Sequence, residues 1–201
     1  MNLLRNVTVF CGSSSGEEPS YVEAATAFGA AIAKRGLGLV YGGGSLGMMG
    51  AVARAVLRGG GPAIGVIPRF LTDKETPLEG LTELHIVESM HERKTKMAEL
   101  GDAFAALPGG VGTFEELFEI LTWSQLGIHA KPIAVLRVGQ YFDPLLALMD
   151  GSVDAGFLRP LDRPRLLDAD TPEALLDVLE RAEVPPSTIL PPSTDRPEAR
   201  T

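Results

Sequence analysis

Short apolar runs alternate with amphipathic stretches along most of this chain. Val7–Cys11, Leu37–Tyr41, Ala63–Ile67, Leu84–Val87, Ala103–Leu107 and Ile133–Val138 are continuous enough, and brief enough, to be buried strands. Between them apolar positions recur every three or four residues. Tyr21, Ala24, Ala25, Phe28, Ala31 and Ile32 predict a first helix, with Pro19 in its first turn and Gly36 at its end. Further helices are predicted near 48–58, over Met90–Leu100, after Gly112, from Pro144, and over about Pro172–Ala182. Residues 69–82 read as a charged loop. Strands alternating with helices predict an α/β fold, three-layered and Rossmann-like, with a parallel β-sheet flanked by helices on both faces. One domain is expected over 1–183. The stretch 184–201 is rich in Pro, Ser and Thr without apolar period, and is expected to be a disordered tail.

A parallel sheet of this kind binds ligands at the carboxyl ends of its strands. Three glycine-rich loops fall there, at 12–16, 42–47 and 109–112. The third carries the most chemistry: Pro108-Gly109-Gly110-Val111-Gly112-Thr113-Phe114-Glu115-Glu116. A strand that breaks into glycines and opens a helix leaves backbone N–H groups free to hold an anion, usually a phosphate. Phe114, Leu117, Phe118 and Leu121 line one face of that helix. Glu116, the fourth residue after Gly112, places a carboxylate in its first turn. The helix dipole favours the ionised form there, so Glu116 is expected to work as a carboxylate: as a base, or as a stabiliser of positive charge. Helix capping is the bland reading for this pair of acids, and Glu115 suits it.

The other loops are less specific. Gly42-Gly43-Gly44-Ser45-Leu46-Gly47 fits G-x-G-x-x-G, yet it follows the second strand, and the next strand ends at Ile67-Pro68 without the acidic residue a dinucleotide ribose needs. It reads as a backbone surface on which a ligand rests, with Gly43 and Gly44 as contacts. Gly12-Ser13-Ser14 offers hydroxyls and N–H groups, with Ser14 as a further contact, or is only a polar turn. Cys11 beside it reads as a small buried residue.

Met90, Arg93, Lys94 and Met97 share one helical face at i, i+3, i+4 and i+7. The methionines should turn inward and draw both cations with them, where an unpaired charge is costly. Two readings stand: the long stems reach back to solvent, or Arg93 meets an anion or polar ligand in the cleft.

Bulk properties narrow the partners. The 201 residues carry a formal charge of −8 and are 45% hydrophobic. That permits a sizeable core and argues against nucleic-acid or acidic-membrane binding. No apolar run approaches the roughly 20 residues of a bilayer span. Residues 1–10 lack the layout of a signal peptide. One cysteine allows no intrachain disulfide, which fits a cytoplasmic protein. The three histidines and Cys11 form no metal-ligand spacing, so no metal is expected.

Pro108-Gly109-Gly110-Val111-Gly112-Thr113-x-x-Glu116 resembles the P-G-G-x-G-T-x-x-E signature of the LOG ("lonely guy") family, the cytokinin riboside 5′-monophosphate phosphoribohydrolases, which also carry the name lysine decarboxylase. Three further segments are similar to the family: Gly42 to Gly50, Met90-His91-Glu92-Arg93-Lys94, and Thr122 to Pro132. The likeness runs from about Val7 to Ala182. Val138-Gly139-Gln140-Tyr141-Phe142-Asp143 departs from the family's aspartate–glycine–double-tyrosine segment. The resemblance implies hydrolysis of a nucleoside 5′-monophosphate, AMP included, to free base and ribose 5-phosphate. It implies no cofactor, and a homodimer with the site near the subunit interface. It makes Arg93 and Glu116 the catalytic pair. Glu75, Lys94, Gly109, Gly110, Val111, Gly112, Thr113, Glu115 and Thr122 become substrate contacts. The alternative, from another class, is a non-catalytic nucleotide-binding sensor or carrier.

Overall fold

The computed structural model describes residues 4–72 and 76–187. Seven strands form one sheet: β1 (Asn6–Phe10), β2 (Gly38–Tyr41), β3 (Ala63–Pro68), β4 (Glu83–Val87), β5 (Ala103–Ala106), β6 (Ile133–Leu136) and β7 (Leu166–Ala169). Six helices connect or follow them: α1 (Pro19–Lys34), α2 (Gly47–Arg58), α3 (Met90–Leu100), α4 (Val111–Leu126), α5 (Asp143–Asp154) and α6 (Pro172–Arg181). The strand order is β4-β3-β2-β1-β5-β6-β7, every pairing parallel. The expected three-layer α/β fold is therefore present. β1 is central. From it the chain builds outward through β2 to β4 on one side, then returns and builds through β5 to β7 on the other. The reversal opens a crevice between the carboxyl ends of β1 and β5.

Alternation along the strands feeds two cores. Val7 and Val9 face α1 and α2 with Phe28, Ile32, Val52 and Val56. Phe10, Val40 and Phe104 face the other way, with Met97 of α3 and Leu117 and Ile120 of α4. Each large apolar side chain so buried stabilises the fold by about 1.5–3 kcal/mol.

The helices that flank the crevice are held at fixed positions. Ser89 Oγ accepts the Glu92 N–H at 3.1 Å, and Glu92 reaches back to the Glu88 N–H at 2.9 Å, which sets the start of α3. At its other end the Lys131 ammonium donates to the Ala98 and Gly101 carbonyls. Between these, the buried Thr8 hydroxyl donates to Met97 O at 2.9 Å and ties α3 to the central strand.

One feature departs from the sequence reading. β7 was absent from it: Leu-Leu-Asp-Ala is a half-exposed edge strand with too little apolar run to announce itself. The first residues of the expected tail, 184–187, are among those described. Arg165 donates to the Pro185 carbonyl at 2.9 Å and the Pro186 carbonyl at 2.6 Å. Ser187 Oγ also donates to Gln125 O at 3.0 Å. Residues 188–201 lie outside the described part.

Candidate active site

At the crevice lies a cavity of about 320 Å³, lined from β1 and its loop (Val9 to Ser13), from Gly42 and Met49, from Met90, Arg93 and Met97 of α3, and from Gly110 to Thr113, Glu115 and Glu116 of α4. Its floor follows from local sequence. Gly12 N–H donates to Pro108 O at 3.1 Å, joining the two strand ends. A side chain on Gly109 would collide with the Thr113 hydroxyl, so only glycine lets the β5 loop turn directly into α4. Gly110 and Gly112 present open space where a Cβ would be. The N-cap of α4 is Gly110, with no side chain bonded to its first turn. The N–H groups of Val111, Gly112 and Thr113 precede the first intrahelical bond, from Phe114 to Gly110 O, and these residues line the cavity. Free amides at a helix start suit an anion.

The start of α2 looks similar in sequence but is already occupied. Met49 N–H donates to Gly12 O and Met48 N–H to Ser14 O, at 3.2 and 3.3 Å. A side chain on Gly47 would strike the Ser13 carbonyl. Gly42–Gly47 is thus a packing turn against the β1 loop. Gly43 takes the Leu78 N–H on its carbonyl, and Gly44 bridges to Pro77. Neither lines the main cavity, and Gly44 lines a neighbouring one with Ser13 and Ser45. Gly42 is the glycine of that loop that does: a side chain there would collide with the Arg93 guanidinium.

Arg93 is buried, and it turns inward rather than back to solvent. Its Nε donates to Val66 O at 3.2 Å and its Nη2 to Gly42 O at 3.5 Å, at the ends of β3 and β2. Its Nη1 stands 3.9 Å from Glu116 Oε1. Two strand-end carbonyls therefore aim the guanidinium at the carboxyl. Glu116 is buried too, and this overturns the expectation of a dipole-depressed acid. Loss of water raises its pKa to about 7, more than the Arg93 charge lowers it. The Cys11 thiol lines the same cavity, and burial holds it in its neutral form.

Other expected contacts lie elsewhere. The Lys94 ammonium bonds Glu115 and, at 3.0 Å, Glu119, and it does not line the cavity. Thr122 follows Glu116 by six residues, which at about 100° per residue turns it to another face of α4. There its hydroxyl donates to Phe118 O at 2.8 Å, and it lines a second cavity with Gln125 and Arg165. Ser14 and Gly109 line an adjoining cavity of about 230 Å³ that shares Gly12, Ser13 and Gly110 with the first. Glu75 lies outside the described residues. The cavity thus gathers Arg93, Gly110, Val111, Gly112, Thr113, Glu115 and Glu116 from the predicted set.

Sequence reasoning missed Tyr141. Its hydroxyl donates to Gly109 O, and its ring packs against Phe114 and Tyr21, so it braces the glycine loop. The signal was there: the tyrosine stands inside the segment that departs from the family pattern. Among the described residues no three His, Cys, Asp or Glu side chains gather as metal ligands, and no helix is long and apolar enough to cross a membrane.

Comparison with known proteins adds to this geometry. A family model described as "Possible lysine decarboxylase" matches residues 49–179. A cytokinin riboside 5′-monophosphate phosphoribohydrolase of Arabidopsis thaliana is 48% identical over 179 residues, 89% of this chain and 82% of that protein. A probable enzyme of the same name from Oryza sativa subsp. japonica is 52% identical over 176 residues, 88% of this chain and 78% of that one. Among solved structures, the molybdenum cofactor binding protein of Rippkaea orientalis superposes with a TM-score of 0.66 at 19% identity, covering 90% of this chain and 98% of that one. The molybdenum cofactor carrier protein of Chlamydomonas reinhardtii gives 0.65 at 20%, covering 89% and 97%. At those identities the structural likeness speaks for the fold alone. Sequence identity near one half over nearly nine-tenths of the chain speaks for kinship, and the chain belongs to the LOG family of phosphoribohydrolases.

Proposed function

We propose that this protein hydrolyses the N-glycosidic bond of nucleoside 5′-monophosphates, AMP and N6-modified adenosine monophosphates among them, to free base and ribose 5-phosphate. One observation carries the reading. The unpaired amides at the start of α4 and the buried Glu116 carboxyl, faced by Arg93, share one cavity. A 5′-phosphate on the amides of Gly110 to Thr113 anchors the ribose roughly one helical turn from Glu116. Departure of the base builds positive charge on the ribose ring. Ionised Glu116 stabilises that charge or orients the attacking water. Arg93 holds the Glu116 carboxyl in place and offers Nη1 to the substrate. A cation set only 3.9 Å from a buried acid is more than phosphate binding requires, which argues for the enzyme over a passive carrier.

The decarboxylase name finds no support in the cavity. Among the described residues no lysine lines it, and pyridoxal chemistry requires one for the Schiff base. The family's dimer and a cytoplasmic setting complete the proposal. Val111 and Leu46, both strongly exposed beside the crevice, are apolar surface that a second copy would cover.

The test is base release from AMP and from isopentenyladenosine monophosphate, followed by chromatography. Glu116→Gln and Arg93→Ala should abolish release while retaining the circular dichroism and melting behaviour of a folded chain. Near-normal turnover by either variant removes that residue from the mechanism.

A further inference from the structure

The two helices that meet at the cavity carry charge in consecutive pairs: Arg93-Lys94 on α3, Glu115-Glu116 on α4. The pairs differ in kind. Arg93 and Glu116 face each other at 3.9 Å and line the cavity. Lys94 is bonded to Glu115 and lies 3.0 Å from Glu119, away from the cavity lining. Lys94 is only 7% exposed, so its charge needs compensation, and both compensating carboxylates come from α4. They stand at i and i+4, so one ammonium spans a full turn, and Glu116 sits inside that turn. The rest of α3 is pinned by Ser89, Thr8 and Lys131. The Lys94 bridge, shorter than the 3.9 Å Arg93–Glu116 pair, is therefore a direct side-chain tie that sets α4 against a fixed α3.

We propose that Lys94 is a positioning residue for the reaction: through Glu115 and Glu119 it sets where the Glu116 carboxyl stands against Arg93, and it does not bind the substrate. The kinetic arm of this rests on the hydrolase reading above. Charge supports the geometry. Glu116 is faced by Arg93 and Lys94 from α3, by Glu115 and Glu119 on its own helix, and by Cys11 from the end of β1. The two cations favour its ionised form, and the two acids oppose it.

The experiment uses the full chain with Lys94→Met, Lys94→Arg and Glu119→Gln. With AMP, Lys94→Met should lower kcat roughly 10- to 100-fold with KM unchanged, the cost of a catalytic group displaced by about an ångström. The acid limb of its kcat/KM profile should move to higher pH, because a cation beside Glu116 is gone and two acids are left uncompensated. Lys94→Arg should restore most of kcat. Glu119→Gln removes an acid and should move the limb the opposite way. If Lys94 bound the phosphate instead, Lys94→Met would raise KM and leave the limb in place, and that result overturns the proposal. Should Lys94→Met fail to fold, Glu119→Gln decides alone: an unmoved limb overturns it. If the wild-type protein releases no base, the hydrolase reading fails separately. AMP is then not consumed, and its calorimetric affinity for Lys94→Met is measured directly: unchanged affinity supports the place of Lys94 outside the binding site, and lost affinity overturns the proposal.

Discussion

Glu116 shows how burial and helix position compete at a single residue. A first-turn carboxylate gains from the helix dipole by at most about 1–2 kcal/mol. Taking it out of water costs more, and its pKa rises to about 7. Two outcomes follow. If the ionised form is the working one, kcat/KM with AMP should fall below a limb near pH 7 rather than near 4.5, the ordinary value. The same shift is a stability statement. Between those two pH values the unfolded chain releases the proton and the folded chain keeps it, so the folded state loses stability as pH rises through that window, by roughly 3 kcal/mol at most. Glu116→Gln should therefore unfold at higher urea than the wild type at pH 8, with the gain shrinking toward pH 4.5. A wild type that is equally stable or more stable at pH 8 would show that the carboxyl is not desolvated. Gly42 supplies the other residue-scale outcome. Its missing side chain makes room for the Arg93 guanidinium, so Gly42→Ala should lower kcat roughly 10- to 100-fold while the chain stays folded. Unimpaired turnover would mean that the aim of Arg93 does not matter.

At the scale of elements, two glycine loops with similar spelling serve different ends. Gly109–Gly112 leaves the amides of α4 free, while Gly42–Gly47 spends those of α2 on the carbonyls of Gly12 and Ser14. Sequence alone shows glycines at both places; it does not show which amides already have partners, since that depends on how closely the β1 loop approaches α2. The same limit explains Lys94 and Thr122. Helical spacing placed Lys94 on the inner face, which is where it lies, but the inner face is shared between a cavity and a salt bridge. Thr122 lies in a segment similar to the family's, yet six residues of helical rotation carry it away from Glu116. Tyr141 acts through a long-range hydrogen bond to Gly109 that no local pattern encodes. The end of α4 carries its own prediction. Arg165 is nearly fully buried, pairs with Asp162 at 2.8 Å and holds the carbonyls of residues 185 and 186. Arg165→Met should cost about 3 kcal/mol in urea unfolding by weakening a buried ion pair, and should make the chain after Ala182 newly open to proteolysis. An unchanged cleavage pattern would remove Arg165 as the clasp.

For the molecule as a whole, topology does the assembling. A strand order that reverses at β1 brings the loop after β1, the turn after β2, the helix after β4 and the loop after β5 to one crevice. Residues 12, 42, 93 and 116 are far apart in sequence and meet there. This much was legible beforehand, because strand–helix alternation dictates a parallel sheet, and such sheets bind at their carboxyl ends. β7 was not legible, because Asp168 interrupts its apolar run. The central claim is that the crevice cuts a nucleotide between base and sugar. The most direct measurement follows AMP with the purified protein by proton and phosphorus NMR. Adenine and ribose 5-phosphate should appear in equal amounts, and neither should appear with Glu116→Gln. AMP left intact, or adenosine with inorganic phosphate as products, would contradict the account.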